Sequence, residues 1–454
     1  MKTLTFKIIK NFLKFEKQSK FDKIVYSNKK VWPIIRYAVF IYLLNEKQYS
    51  YEYNKKTKIN LKKIKIILYN SLSMLKIFRK CDVLVYNYGR PQKIGKQTIN
   101  PIKFSLSKSV PKRLNTFFVT KSNESDNKNQ LNFYIIYKCI FTIYKFIYSL
   151  MGNTIIEKKL NAKIHKSFNQ KINIKSIIYD VLIHQLTIGI IFEIIFYFKK
   201  PKIIIYSDNA EMSDVIFRAR KRNIITIDLQ HSIISKLNIL YQHNNNANKE
   251  YLSDFVLTYG EYWKQFLSDN YKKVAVGNYL NDYYSRKYLN SNNSKENITI
   301  ISSIVSREHL IELAIFLSKK LPHRKIIYKL RPEEYPNWRK AFPDKLLKQK
   351  NVIFIDNEKE ELYKILYNSN FVIGTNSTVL IQSLPFTQVI IIKTGLYHEM
   401  EKLIKDGYVK LAKDNIEVLN FIRKNSGKTN KSNKNLYKKD FSNNIKNFFL
   451  TLNI

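Results

Sequence analysis

PKIIIYSDNAEMSDVIFRARKRNIITIDLQHS, residues 201–232, reads as strand, helix, strand. Behind Pro201, the run Lys202-Ile203-Ile204-Ile205-Tyr206 is apolar and β-branched. Ser213–Arg222 reads as a helix and Ile224–Asp228 as a second strand. Strands joined through a helix by short connections form a parallel sheet covered on both faces. The alternation continues through Phe255–Thr258 and Lys273–Val276, which close on turns at Gly260 and Gly277. The polar stretch Asp282–Asn297 is the expected linker. Beyond it the spacing predicts strands at Ile298–Val305, Lys325–Leu330, Val352–Ile355, Phe371–Gly374 and Gln388–Ile392. Helices fit at Glu308–Lys319, Glu358–Tyr367, Ser377–Leu384, Glu399–Lys405 and Ile416–Arg423.

Upstream, Asp82–Asn87 and Thr116–Thr120 suit strands, Lys121–Gln130 a loop, and the first 75 residues basic-faced helices. The expected fold is therefore α/β: two doubly wound Rossmann-like domains facing a central cleft, with a helical N-terminal region. The expected divisions are 1–285, 298–425 and a polar tail at 426–454 with a closing helix at Phe441–Leu450. Ligands of open α/β sheets bind at the carboxyl ends of strands, which places the site in the inter-domain cleft.

The chain has 454 residues, long enough for two or three domains, and its 45% apolar and 14% aromatic content excludes global disorder. Two cysteines, Cys81 and Cys139, make neither a disulfide framework nor a cysteine-rich zinc site. Lysines at positions 2, 7, 10 and 14 interrupt any signal-peptide core, so a cytoplasmic protein is expected. With 79 Lys plus Arg against 35 Asp plus Glu, the formal charge is +44. These cations are scattered among Asn and Ile, and no zinc-finger, RNA-recognition or basic-zipper pattern accompanies them, so specific nucleic-acid binding is not expected. An anionic membrane surface or a nucleotide-carrying substrate accounts for the sign. Phe133–Met151 carries Lys138 and Lys145, while Ile177–Phe198 carries Asp180, His184, Gln185 and Glu193. Both read as packed helices rather than spans, and the first can also lie flat on a membrane with its lysines reaching the headgroups.

Chemistry concentrates at strand ends. His231, within Asp228-Leu229-Gln230-His231-Ser232, is the candidate general base, with Gln230 and Ser232 beside it on the acceptor side. Asp208, Asn209 and Glu211 follow the neighbouring strand; Asp208 is the alternative base or the residue that orients His231, and Glu211 an acceptor-side residue. In Leu330-Arg331-Pro332-Glu333-Glu334, Arg331 offers a donor fork to a phosphate, and Glu333 or Glu334 a carboxylate. Gly374-Thr375-Asn376-Ser377-Thr378 ends a strand and opens a helix, the arrangement of an anion site and equally of an ordinary helix cap. The histidines show no metal-ligand spacing, and no P-loop or Gly-x-Gly-x-x-Gly fingerprint is present, so no metal or cofactor is expected.

These motifs, in this order, resemble the GT-B glycosyltransferase-like proteins of bacterial capsule and surface-polysaccharide loci. They are more distantly similar to the teichoic-acid polyol-phosphate transferases. Gln230-His231-Ser232 stands where those proteins read Gln-His-Gly, Leu330-Arg331-Pro332 at their Arg/His-Pro motif, and Gly374–Leu380 at their hydroxyl-rich phosphate motif. Leu257–Trp263 and Val274–Asn278 resemble the segments between, and the likeness covers about residues 200–425. Ser232 replaces the usual Gly, and Arg331 a frequent His. The resemblance implies a nucleotide-sugar donor, a glycan or lipid-linked glycan acceptor, and inverting, metal-independent transfer in capsule or lipopolysaccharide synthesis. It also implies work at the inner face of the cytoplasmic membrane. A CDP-linked polyol-phosphate transferase, a sugar-nucleotide epimerase and a non-catalytic membrane-docked scaffold are the alternatives.

Overall fold

The computed structural model describes the chain except for residues 1, 20, 22–23, 27–28, 45–73, 88–90, 96, 122–129, 152–153, 169–173, 208–210, 244–247, 289–295, 337, 395–396, 425–432 and 453. Its first sheet contains β1 (Val83–Tyr86), β2 (Thr116–Thr120), β3 (Gln130–Asn132), β4 (Ile203–Tyr206), β5 (Ile225–Leu229), β6 (Phe255–Thr258) and β7 (Lys272–Ala275). Every pairing is parallel, in the order β7-β6-β5-β4-β1-β2-β3. The second sheet contains β8 (Asn297–Ile301), β9 (Ile326–Lys329), β10 (Val352–Ile355), β11 (Ser369–Gly374), β12 (Gln388–Ile392) and β13 (Lys410–Ala412). It is also fully parallel, ordered β10-β9-β8-β11-β12-β13. In each sheet the winding direction reverses between the first and fourth strands in sequence. The two switch points are β1/β4 and β8/β11, where doubly wound sheets open a crevice at the carboxyl edge.

The helices that matter to the site are α1 (Pro101–Ser109), α2 (Tyr134–Met151), α3 (Thr154–Phe168), α4 (Ile174–Lys199, with a π turn over Ile178–Leu182), α5 (Ser213–Lys221), α6 (Tyr279–Lys287), α7 (Arg307–Lys320), α8 (Leu362–Tyr367), α9 (Thr378–Ser383) and α10 (Phe441–Thr451). Successive residues of β1 alternate between two cores. Leu84 and Tyr86 face the side packed by Phe192, Ile195 and Phe196 of α4, whereas Val83 and Val85 face Leu106 of α1 and Ile445, Phe448 and Phe449 of α10. Both faces are dry, which is why these strands read as unbroken apolar runs. α4 is long and apolar enough to cross a membrane, with mean hydropathy 1.9, but 67% of its most apolar window is buried inside the protein.

α10 therefore closes the first sheet although it follows the second in sequence. Its approach is a strap laid across β6 and β7. Trp263 Nε1 donates to the Leu436 carbonyl at 2.8 Å, the Lys438 amide to the Tyr259 carbonyl at 2.8 Å, and Tyr437 Oη to the Ile381 carbonyl of α9 at 2.6 Å. Gly260 and Gly277 permit the crossing: a Cβ at either would collide with the backbone of residues 435–438, and Gly277 also has φ +101°.

The expected linker is shorter than the sequence suggested. Residues 279–287 form α6 because Asn278 caps it, accepting from the amides of Leu280 and Asn281 at 3.0 and 3.2 Å. Its tyrosines then find aromatic partners: Tyr284 stacks on Tyr363 of α8 at 4.5 Å and Tyr288 on Tyr367 at 4.5 Å.

Candidate functional site

The parallel order of β5 and β6 places the end of β5 at a cleft of about 250 Å³. Its lining includes Ser207, Gln230, His231, Tyr259, Asn278 and, from the second sheet's side, Gln382 of α9. Gln230 is an internal brace. Its Oε1 accepts from the Tyr259 amide at 2.8 Å and its Nε2 donates to the Ser232 carbonyl at 3.0 Å. The turn so fixed projects His231, whose ring is exposed to the cleft. Protein mass around the cleft nevertheless disfavours an imidazolium there and pushes its pKa down to about 4. Cleft water screens part of that effect; both the exposure and the shift leave the ring neutral at pH 7, with the accessibility a base requires. Asp208 and Asn209 lie outside the described residues.

The caps of α1 and α6 border the same space. Asn100 accepts from the Ile102 amide at 2.9 Å, and Asn278 holds the start of α6. Both helices turn their positive ends toward the cleft.

In the second sheet, Arg331 follows β9 and Ser302 follows β8. Arg331 Nε donates to the Ser302 carbonyl at 3.1 Å, and its Nη groups make no hydrogen bond among the described residues. Of the two adjacent acids, Glu334 is buried and acts as scaffold. It accepts from Ser302 Oγ at 3.0 Å, from Arg307 Nη2 at 3.2 Å and from the Arg331 amide at 2.9 Å. Glu333 is exposed. At the end of β11, Gly374 is buried and a Cβ there would press on Leu380, so its smallness serves packing. Thr375 is buried, with its hydroxyl on Asn376 Oδ1 at 3.3 Å, while Asn376, Ser377 and Thr378 are half-exposed. Ser377 caps α9, its Oγ accepting from the Val379 amide at 3.3 Å. The capping expectation therefore holds for Ser377, while the neighbouring Asn376 bonds the carboxyl of Glu399. Burial raises the Glu399 pKa against that bond.

A second polar centre occupies the switch point of the first sheet, where only Glu211 was expected. Lys121 follows β2 and Glu211 precedes α5; His184 comes from α4 and Tyr137 from α2. Tyr137 Oη lies 2.6 Å from His184 Nδ1, His184 Nε2 lies 3.4 Å from Glu211 Oε2, and Lys121 Nζ lies 3.3 Å from the same oxygen. Burial, then Lys121, lowers the His184 pKa, so the ring is neutral; burial also holds Tyr137 as a phenol. Lys121 Nζ also lies 3.3 Å from His184 Nε2, so two tautomers fit: Nε2–H donating to Glu211 with Tyr137 O–H donating to Nδ1, or Nε2 accepting from Lys121 with Nδ1–H donating to Tyr137 Oη. Burial opposes ionisation of Glu211, but His184 and Lys121 overcome it and bring its pKa to about 2. A carboxylate so acidic is a poor general base and a durable acceptor for hydroxyl donors. His184 was legible only as a polar residue in an apolar helix. Lys121, Tyr137, Gln382 and Glu399 carried no sequence signal, because their partners lie on other elements.

No protein-family model matches the chain, and no curated protein matches it in sequence. Solved structures share its architecture. UDP-GlcNAc 2-epimerase from Neisseria meningitidis, bound to UDP-GlcNAc, is 16% identical with a TM-score of 0.50, over 82% of this chain and 99% of that one. The proposed UDP-N-acetylglucosamine 2-epimerase of Listeria monocytogenes is 11% identical with a TM-score of 0.50, over 80% and 94% of the two chains. At these identities the likeness is one of fold. The chain has the GT-B-like arrangement of two parallel-sheet Rossmann-like domains.

Proposed function

We propose that the protein is a nucleotide-sugar-dependent glycosyltransferase that extends a bacterial surface glycan, capsule or lipopolysaccharide, with inversion and without a metal. The observation that carries this reading is the presence of two polar centres at two sheet edges. One lies near Arg331 and Asn376–Thr378 for the donor phosphates, the other at Glu211, Lys121 and His184 for an acceptor. The acceptor hydroxyl loses its proton to His231 as its oxygen bonds the donor's anomeric carbon. The bond from that carbon to the nucleotide phosphate breaks, and the phosphate leaves with the electron pair. Positioning and stabilisation of the departing phosphate supply most of the acceleration.

Epimerisation of a free nucleotide sugar is the second reading, favoured by the architecture shared with the Neisseria meningitidis epimerase. It needs one ligand, whereas transfer needs two. The test is incubation with UDP-, CDP-, GDP- and dTDP-linked sugars with and without an acceptor glycan, followed by NMR of the sugar and assay of released nucleotide. Nucleotide release that depends on acceptor supports transfer. An epimeric nucleotide sugar formed without acceptor refutes it, and a polyol phosphate on the product redirects it to the CDP-linked class.

A further inference from the structure

The apolar residues that α2 leaves outside the core fall on one line. Tyr137 and Phe141 are buried, whereas Ile143, Phe146 and Ile147 are 56%, 64% and 41% exposed, and Cys139 is exposed one turn before Ile143. Spacings of four, three and one residues from Cys139 place the four on a single stripe of the helix. Exposed aliphatic and aromatic side chains in a row are costly in water and mark a surface that meets something else.

The charge of this stretch of the chain identifies what the stripe meets. Residues 134–168 hold six lysines against one glutamate. α3, which follows directly, exposes Lys158, Lys159 and Lys166. On α2 itself, Lys145 Nζ sits 4.8 Å from the Phe141 ring and 3.4 Å from Asp180, and Lys138 Nζ sits 5.7 Å from the Tyr134 ring. An apolar stripe on a helix, in a stretch whose exposed charges are mostly lysines, is the composition of a surface that meets an anionic headgroup layer.

The direction of α2 fits the same partner. It springs from the carboxyl end of β3, meets His184 through Tyr137 at the sheet edge, and meets Asp180 through Lys145 further along α4. Eight helical residues separate those contacts, a rise of about 12 Å. The stripe thus stands beyond the carboxyl edge of the first sheet, at the end of the molecule where the cleft opens.

We propose that the outer face of α2, together with the exposed lysines of α3, the next helix in the chain, docks the protein on a bilayer of anionic lipid. Docking there turns the cleft toward the membrane, which gives a lipid-linked acceptor a direct route to Glu211 and His231; only that last consequence rests on the transfer reading. A second copy is the weaker occupant, because these few side chains expose at most a few hundred Å², against about 1,000 Å² for a stable dimer.

The test is sedimentation of the full chain with vesicles of phosphatidylcholine alone or mixed with phosphatidylglycerol. It compares wild type with Ile143→Ser/Phe146→Ser/Ile147→Ser and with Lys158→Glu/Lys159→Glu/Lys166→Glu. All six positions are at the surface, and circular dichroism and melting confirm that each variant folds. Wild type is expected to bind the mixed vesicles and not the neutral ones, each triple variant binding about tenfold or more weakly. Nucleotide binding and turnover of a soluble acceptor are read separately, so loss of docking and loss of the transfer reading are told apart. Equal binding to neutral vesicles, undiminished binding by the Ser variant, or no binding at all overturns the proposal. So does a concentration-dependent dimer abolished by the Ser variant, which would make the stripe a self-interface.

Discussion

Replacing Glu211 by Gln keeps the shape of the side chain and removes the charge on which the Lys121–His184–Tyr137 centre is built. The Glu211 carboxyl falls from 4.5 to about 2. The lowered value corresponds to about 3 kcal/mol of folded-state stability at pH 7. Because the folded value is the lower one, the contribution is complete above pH 4.5 and disappears as pH falls through 2. Linkage leaves less than half of it at pH 3. The assay is denaturant-dependent hydrogen exchange in peptides covering α4 and α5, which reports the opening of this layer whatever the second sheet does. Wild type and Glu211→Gln are expected to differ by about 3 kcal/mol at pH 7 and by about half that or less at pH 3. A difference below about 1 kcal/mol at neutral pH, the yield of an ordinary surface ion pair, would refute the reading of a deliberately charged buried centre. A difference that does not change with pH would assign the effect to packing.

His231→Ala should lower transfer by about 10²–10⁴-fold while leaving the melting temperature near that of wild type, as measured by nucleotide release. Because desolvation lowers the imidazole pKa, the acid limb of wild-type kcat/KM should be centred below 6.5; an acid limb centred at 6.5 would show that the cleft does not hold the ring neutral by desolvation. Gly277→Ala should destabilise the strap by about 1–3 kcal/mol and expose residues 433–440 to protease. Gly407→Ala, with φ +76° and open space around the new methyl, is the control: it should suffer the backbone strain alone and leave the strap closed.

The parallel strands were legible because burial on both faces makes them continuous apolar runs: Ile203–Tyr206 and Gln388–Ile392 stand where the sequence placed them. Lys410–Ala412 and Gln130–Asn132 were not, since each is a three-residue edge strand whose partners supply the pattern. α6 was hidden for a related reason. Its Asn, Ser, Tyr and Lys composition reads as loop, and its order comes from Tyr363 and Tyr367, some eighty residues away in the other sheet's layer. At the site, strand ends announced His231, Arg331 and Asn376–Thr378 as positions. They did not announce roles. Glu334 rather than Glu333 is the buried member of its pair because it faces Ser302 and Arg307, a fact of tertiary contact that the dipeptide does not encode.

The strap adds a reason for expecting a shaped cleft instead of two domains on a loose tether. Tyr437 bonds the carbonyl of Ile381, the residue next to Gln382, while Lys438 bonds Tyr259, which lines the cleft with His231. One short segment thus holds a wall of the cleft from each side. Tyr284–Tyr363 and Tyr288–Tyr367 clamp the same domains from α6, and Lys287 Nζ adds an ion pair to Glu361 at 2.9 Å. A transfer reaction depends on reacting atoms being held within a few tenths of an ångström of contact geometry, and a misplacement of about 1 Å costs about a hundredfold in rate. Two domains that carry donor and acceptor separately satisfy that demand only if their relative position is fixed when both ligands are bound. The aromatic stacks and the strap supply that restraint between the layers of the two sheets.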